Sequence, residues 1–283
     1  MKKVYLLLSL IFITSCSLNK VIVNSATGFI NDGTKVLYRE PDLEIAEHFL
    51  ANNLKTMEIL LAKDPGNREL NFLAAQGFGA YAMGFAEDKD AERAAGLYMR
   101  GVQYGLKSLP KNKGFDLTIK PKELGTLLED YKKKDVPYLF WTGYNWGMFI
   151  MTHLDKPENL ANLAKVEMIM KRCMVLDRSY YFYSVDLFYG AYYAARPRML
   201  GGNPEKGREF FLHYMEKNKD SLLMGKLFYA QYYAVQTYNE QLFDMLIGEI
   251  LDFDLEQNPD FRLLNAIAQK KAHILKSKRD RYF

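Results

Sequence analysis

Cysteine is nearly absent from this chain: 283 residues contain two, Cys16 and Cys173. A disulfide framework of the kind that staples small exported domains is excluded, so the fold must be held by packing. Long apolar runs are also missing. Beyond the first fifteen residues no segment supplies the roughly twenty apolar residues that a membrane-spanning helix needs. Neither sign of charge dominates, with 38 basic against 34 acidic residues, which leaves no basic stripe for nucleic acid and no polyanionic tail. Catalytic signatures are lacking too. His48, His153, His213 and His273 share no ligand spacing, and there is no His-Glu-x-x-His, P-loop or Gly-x-Ser-x-Gly. Asp252, Asp254, Glu256 and Asp260 cluster without the glycine and alternation of a calcium loop. Cys173 sits on an apolar helical face and reads as a small buried hydrophobe. The expectation is a non-enzymatic protein with no cofactor, no metal site and no nucleic-acid partner.

What is present begins at the N-terminus. Lys2 and Lys3 precede an apolar run from Val4 to Ile13, and Thr14 and Ser15 are small residues ahead of Cys16. That order is a secretory signal over residues 1–15, too short to span a bilayer. Ile13-Thr14-Ser15-Cys16 resembles the bacterial lipobox, so Cys16 is the expected lipidation site. Ser17 follows where retention at the inner membrane typically needs Asp, which favours the outer membrane. Attachment is expected through the lipid alone, with residues 16–28, polar and small, as the tether. Removal of Lys2 and Lys3 lowers the net charge to +2, and with the Cys16 thiol acylated no intramolecular disulfide remains.

The remainder, residues 29–283, reads as one all-α domain. Asn31-Asp32-Gly33 has the composition of a turn. From Asp42 to Ala62 apolar residues recur at helical spacing, and Asp64-Pro65-Gly66-Asn67 stops the run. Further helices are expected at 69–85 with 90–109, 136–153 with 157–176, 180–195 with 203–217, and 221–236 with 239–253, then a last one at 260–278. A short helix is expected within the polar stretch 111–135. Helices in pairs, ended by Pro65 and Pro110 at the same offset, are similar to the tetratricopeptide (TPR) repeat of about 34 residues. The predicted architecture is a helical-hairpin solenoid of about four degenerate TPR-like repeats with a C-terminal capping helix. Small residues on the first helix of each pair (Gly77 and Ala80, Gly143 and Gly147, Gly190 and Ala194, Gly225 and Ala230) are expected where the partner crosses closely.

Aromatic residues are unevenly distributed. Residues 138–238 hold 22 of the 40, mostly on first helices, which in a TPR array line the concave face. Tyrosines combine an apolar ring with a hydroxyl that wants a partner, so they suit grooves and interfaces better than dry cores. Tyr192-Tyr193 and Tyr232-Tyr233 point to adjacent faces, so both members of either pair cannot occupy one core stripe. Arg196 and Arg198, beside Gly201 and Gly202, add two guanidinium groups of the kind that bind carboxylates. The candidate ligand or partner surface is Trp141, Tyr144, Asn145, Trp146, Tyr189, Tyr193, Arg196, Arg198 and Tyr233.

Over nearly the whole mature chain the sequence resembles the T-component family (TatT) of TPR-associated TRAP transporters. The resemblance rests on Glu40-Pro41-Asp42-Leu43, Leu54 to Pro65, Gly77-Phe78 with Tyr81-Ala82, and Leu97-Tyr98 with Tyr104-Gly105-Leu106. It continues through Tyr138 to Gly147, Ala194 to Lys206, Phe210-Phe211, Leu263 to Ala272 and Tyr282-Phe283. The sequence departs from the family at the lysine-rich stretch near 111–134 and in the tyrosine-heavy third and fourth pairs. The resemblance implies a periplasmic lipoprotein that forms a homotrimer around a pore and pairs with a periplasmic solute-binding protein of a TRAP system. The implied function is non-enzymatic solute uptake, with an apolar or amphipathic organic acid as ligand. The alternative is a general TPR scaffold lipoprotein for envelope assembly whose ligands are protein segments.

Overall fold

A computed structural model describes residues 20, 23–110, 114–153 and 157–283. The signal segment and the lipidation site Cys16 lie outside the described residues. All regular structure among the described residues is helical. A first helix, α1, covers residues 23–38. It is followed by α2 (Leu43–Lys63), α3 (Arg68–Tyr81), α4 (Ala91–Ser108) and the short α5 (Pro121–Glu129). Then come α6 (Val136–Met151), α7 (Pro157–Asp177), α8 (Tyr180–Ala194), α9 (Pro204–Lys217), α10 (Met224–Phe228), α11 (Glu240–Leu251) and α12 (Arg262–Ser277). Two of these helices run on into π-turns, α3 through Ala82–Ala86 and α10 through Tyr229–Ala234.

Side-chain caps fix most of the helix starts. Asp42, Asn67, Asp90, Asn203 and Asn239 each accept a backbone N–H of the following turn, a device typically worth about 1 kcal/mol. The expected pairs form: α3 with α4, α6 with α7, α8 with α9, and α10 with α11. Glycine sets how closely they approach. A Cβ on Gly190 would lie 2.4 Å from the Phe211 ring of α9, and one on Gly143 would lie 2.9 Å from Ile169 of α7. Gly147 likewise meets Val166 of α7, whereas the remaining two predicted glycine contacts run backwards along the array. Gly77 faces Leu54 of α2 and Gly225 faces Tyr214 of α9, so these glycines admit the preceding helix rather than their own partner.

At the N-terminus the structure corrects the sequence reading. Helix α1 begins inside the stretch taken as tether and passes straight through Asn31-Asp32-Gly33, expected as a turn. The cause is tertiary. Val23, Ile30 and Leu37 recur every seven residues and are buried in the main core with Leu50, Leu54 and Met57 of α2. Polar residues between them obscure this stripe when the sequence is read alone.

The array closes on itself. Helix α12 packs against α2, and Ile267 meets Gly84 in the π-turn that follows α3. Lys271 Nζ lies 2.9 Å from Glu87 and 3.0 Å from Asp88, while Lys270 Nζ donates to the Gly84 carbonyl at 2.9 Å. Arg39, just after α1, pairs with Asp260 just before α12. On the opposite flank of α2, Glu58 accepts from Lys55, Arg100 and Tyr104, tying α2 to α4.

Burial raises the Glu58 carboxyl, but the donors on it outweigh burial and hold it at about 2. A carboxyl lowered in the folded state contributes stability above its unfolded value near 4.5, and that contribution is lost as pH falls towards 2. Urea unfolding of Glu58→Gln is therefore expected to show a weaker loss of stability across that acid range than the unsubstituted protein. For Lys271→Met, which leaves two carboxylates facing each other, the expected cost is about 3 kcal/mol at neutral pH by the same measurement.

Candidate functional site

Ring closure turns the concave face into a cavity of about 460 Å³, walled by helices from every part of the array. Its wall comes mainly from the first helices of the pairs. Leu73, Gly77 and Ala80 project from α3, Phe140, Trp141 and Tyr144 from α6, Leu187, Phe188 and Tyr192 from α8, and Phe228 and Tyr232 from α10 and its π-turn. Ile30, Leu37 and Tyr38 of α1, Phe49 and Leu50 of α2, and Leu263 and Ile267 of α12 complete it. Apolar and aromatic side chains dominate, and Arg196 is the one charged residue among the described lining.

The start of α8 departs from the expected regular helix. Tyr181, Phe182 and Tyr183 have φ of 47°, 59° and 60°, a left-handed turn made without glycine. Such a conformation costs roughly 1–2 kcal/mol per residue, so its surroundings must enforce it. Asn218 Nδ2 donates to the Phe182 carbonyl at 3.0 Å, and the Tyr183 N–H reaches Ser179 at 3.3 Å. The turn brings Tyr181 and Phe182 into the cavity wall. The Tyr181 ring meets Trp141 edge-on at 4.9 Å, and its hydroxyl lies 3.1 Å from that of Tyr38 on α1. Burial pushes both phenols up, so both stay protonated. Strain concentrated in a ligand-sized cavity is a recurrent property of functional sites.

Of the residues singled out from sequence, the structure brings Trp141, Tyr144 and Arg196 together around this cavity. Trp141 donates from Nε1 to the Tyr180 hydroxyl at 3.2 Å, which fixes its ring. Arg196 lies over the Tyr192 ring at 3.6 Å, donates from Nε to the Tyr192 carbonyl at 2.8 Å, and reaches the Gly201 carbonyl at 3.3 Å. The others fall elsewhere. Asn145 is buried at a helix crossing, where it donates to the carbonyls of Ala75 and Trp141 and abuts Gly101. Trp146 is buried beneath Lys165 of α7. Tyr189 donates to Glu167, Tyr193 receives Lys206, and Tyr233 donates to Glu205. Arg198 is exposed in the loop after α8.

In both tyrosine pairs it is the first member, Tyr192 or Tyr232, that faces the cavity, while the second is held by a side chain at the start of α9. The sequence reading divides each pair between two faces but assigns the second members, Tyr193 and Tyr233, to the ligand surface, the reverse of what the structure shows. The signal was present in Phe188 and Phe228, each four residues ahead of the inward tyrosine and in ring contact with it. Cys173 is buried, and burial pushes its thiol up, away from reactivity. Three of the acidic residues near 252–260 have partners, Asp254 capping a turn at Glu256, Glu256 pairing with nearby Arg262, and Asp260 with the sequence-distant Arg39.

Comparison with known proteins gives this geometry a context. Residues 39–283 match the profile described as TRAP transporter T-component. The match begins just after α1, so it covers every helix from α2 to α12. An uncharacterized protein of Treponema pallidum (strain Nichols) is 28% identical over 265 residues, spanning 87% of this chain and 82% of its own length.

The chain has only two tryptophans, and only Trp141 lines the cavity. A small apolar contact quencher such as a brominated alkane, once inside, is expected to quench Trp141, which lines the cavity, rather than Trp146, which is buried beneath Lys165. Quenching should be largely lost in Trp141→Phe and persist in Trp146→Phe; equal quenching in both would place the quencher elsewhere.

Proposed function

This chain belongs to the TRAP transporter T-component family, and we propose that it is a non-catalytic, periplasm-facing component that holds an amphipathic organic acid in its central cavity. In this reading Cys16 carries the lipid that anchors it, with the outer membrane as the favoured site, and a periplasmic solute-binding protein is its exchange partner. Assembly as a homotrimer belongs to the same reading. No helix among the described residues is long and apolar enough to cross a membrane, which is compatible with attachment by lipid.

One observation carries the ligand class. The cavity is apolar and aromatic, with a single cation, Arg196, in its described lining. An apolar body desolvates favourably against such walls, at roughly 25 cal/mol per Å², and a lone, partly exposed guanidinium in the lining offers a partner for one carboxylate. Arg196 is also pre-positioned by its carbonyl contacts and its stacking on Tyr192, so little side-chain entropy remains to be lost on binding. Apolar walls drawn from every part of the array, α12 and α2 included, favour a small molecule over the protein segments that a general envelope scaffold would bind.

Isothermal titration with decanoate and with decanol separates these contributions. The acid is expected to bind, Arg196→Gln to weaken it about tenfold, equivalent to about 1.4 kcal/mol, and decanol to be insensitive to the substitution. Absence of decanoate binding to the unsubstituted protein would remove the ligand claim. Recovery of a solute-binding protein on affinity purification from solubilised membranes supports the partner claim, whereas consistent recovery of barrel-assembly or cell-wall proteins would favour the scaffold.

A further inference from the structure

Tyr232 stands out among the cavity-lining tyrosines. Its ring is held edge-on by Phe228 at 5.4 Å, yet its hydroxyl makes no hydrogen bond among the described residues. Tyr229 and Tyr233, on the other side of the same π-turn, are both satisfied, by Arg208 and Glu205. The π-turn that carries Tyr232 is closed by Val235 N–H to the Ala230 carbonyl at 3.3 Å and Asn239 N–H to Ala234 at 2.8 Å. Turns of this kind are rare and occur frequently at functional sites.

The neighbourhood decides what the hydroxyl can do. Tyr144, also in the wall, meets Tyr98 edge-on at 6.3 Å, and the Tyr98 hydroxyl donates to Glu87 at 3.3 Å. Glu87 is neutralised from outside the cavity by Lys271 at 2.9 Å. Burial, reinforced by Glu87, pushes the Tyr144 and Tyr232 hydroxyls up. Both phenols are therefore neutral donors at any physiological pH. No cation lies at this part of the wall to attract a second carboxylate, because Arg196 is the single charged group of the described lining and belongs to the loop after α8.

We propose that Tyr232, assisted by Tyr144, is a specificity-determining group that donates a hydrogen bond to a neutral oxygen on the apolar body of the ligand, a ketone or hydroxyl placed away from the carboxylate. This inference rests on the reading of the cavity as a site for amphipathic acids and narrows the class to oxygenated ones. A donor in a desolvated wall that is left unpaired by a plain hydrocarbon is costly, and a site built to bond an oxygen discriminates against the analogue that lacks it.

The test uses decanoate and its monoketo and monohydroxy isomers as probes, titrated into the full-length protein and into Tyr232→Phe. At least one oxygenated isomer is expected to bind the unsubstituted protein about tenfold tighter than decanoate. Tyr232→Phe should abolish that preference, weakening the isomer and modestly tightening decanoate, because the donor that decanoate leaves unpaired is gone. Because the hydroxyl has no protein partner to lose, the same substitution is expected not to lower the thermal midpoint of the ligand-free protein. Equal binding of all isomers, or an equal loss for every probe in Tyr232→Phe, overturns the inference. If decanoate binds and depends on Arg196 but no isomer is preferred, this inference alone fails. If neither decanoate nor any isomer binds, the amphipathic-acid reading fails with it.

Discussion

The cavity exists because the last helix reaches back to the first ones, and the contact that holds it there is an ammonium between two carboxylates. Lys271 on α12 sits against Glu87 and Asp88 at the end of the α3 π-turn, and burial alone would lower its pKa. The two acids outweigh burial and raise it. Its neighbour Lys270 uses the Gly84 carbonyl within the same π-turn. Buried ion pairs are weak sources of net stability but severe to break one partner at a time. They therefore suit a contact whose role is to fix one arrangement of a ring. With the ring closed, the aromatic faces of the first helices become the walls of a chamber; with it open, the same residues would form the shallow concave face of an ordinary helical array.

Closure also divides the tyrosines by role. Tyr189, Tyr193 and Tyr233 point to second helices, where Glu167, Lys206 and Glu205 satisfy them, and they stabilise the pairs. Tyr144, Tyr192 and Tyr232 point to the chamber. The polar residues at helix crossings serve geometry as well. Asn145 bonds Ala75 and Trp141 against Gly101, so α3, α4 and α6 keep a fixed approach behind the cavity wall. The left-handed turn at Tyr181–Tyr183 is the one place where the wall is built against backbone preference, and it is also where α1 touches α8 through Tyr38.

Much of this was legible in the residues. Caps such as Asp42, Asn67 and Asp90, and the proline stops, mark helix ends by local hydrogen bonding, so element order and pairing follow from sequence. The all-α hairpin array was recovered on those grounds. What stayed hidden depends on distant parts of the chain. Helix α1 draws its order from α2, not from its own polar surface. Ring closure joins residues more than 180 apart (Lys271 with Glu87), and no local pattern encodes it. The left-handed turn is imposed by Asn218, 36 residues downstream. For the candidate site, aromatic excess and the carboxylate chemistry of arginine point to Trp141, Tyr144 and Arg196, which line the cavity. Trp146, Tyr189, Tyr193 and Tyr233 satisfied the same composition argument but face their partner helices, because a period of 3.6 assigns faces only once the crossing helices are known.

The central claim is that the closed ring holds one amphipathic acid beside Arg196. Native mass spectrometry of the protein purified from its own membranes tests it most directly. The account predicts one added mass per chain that is released on unfolding, extracts as a carboxylic acid, and is lost from Arg196→Gln. A chain that carries no small molecule under these conditions and takes up none of the supplied acids would contradict it.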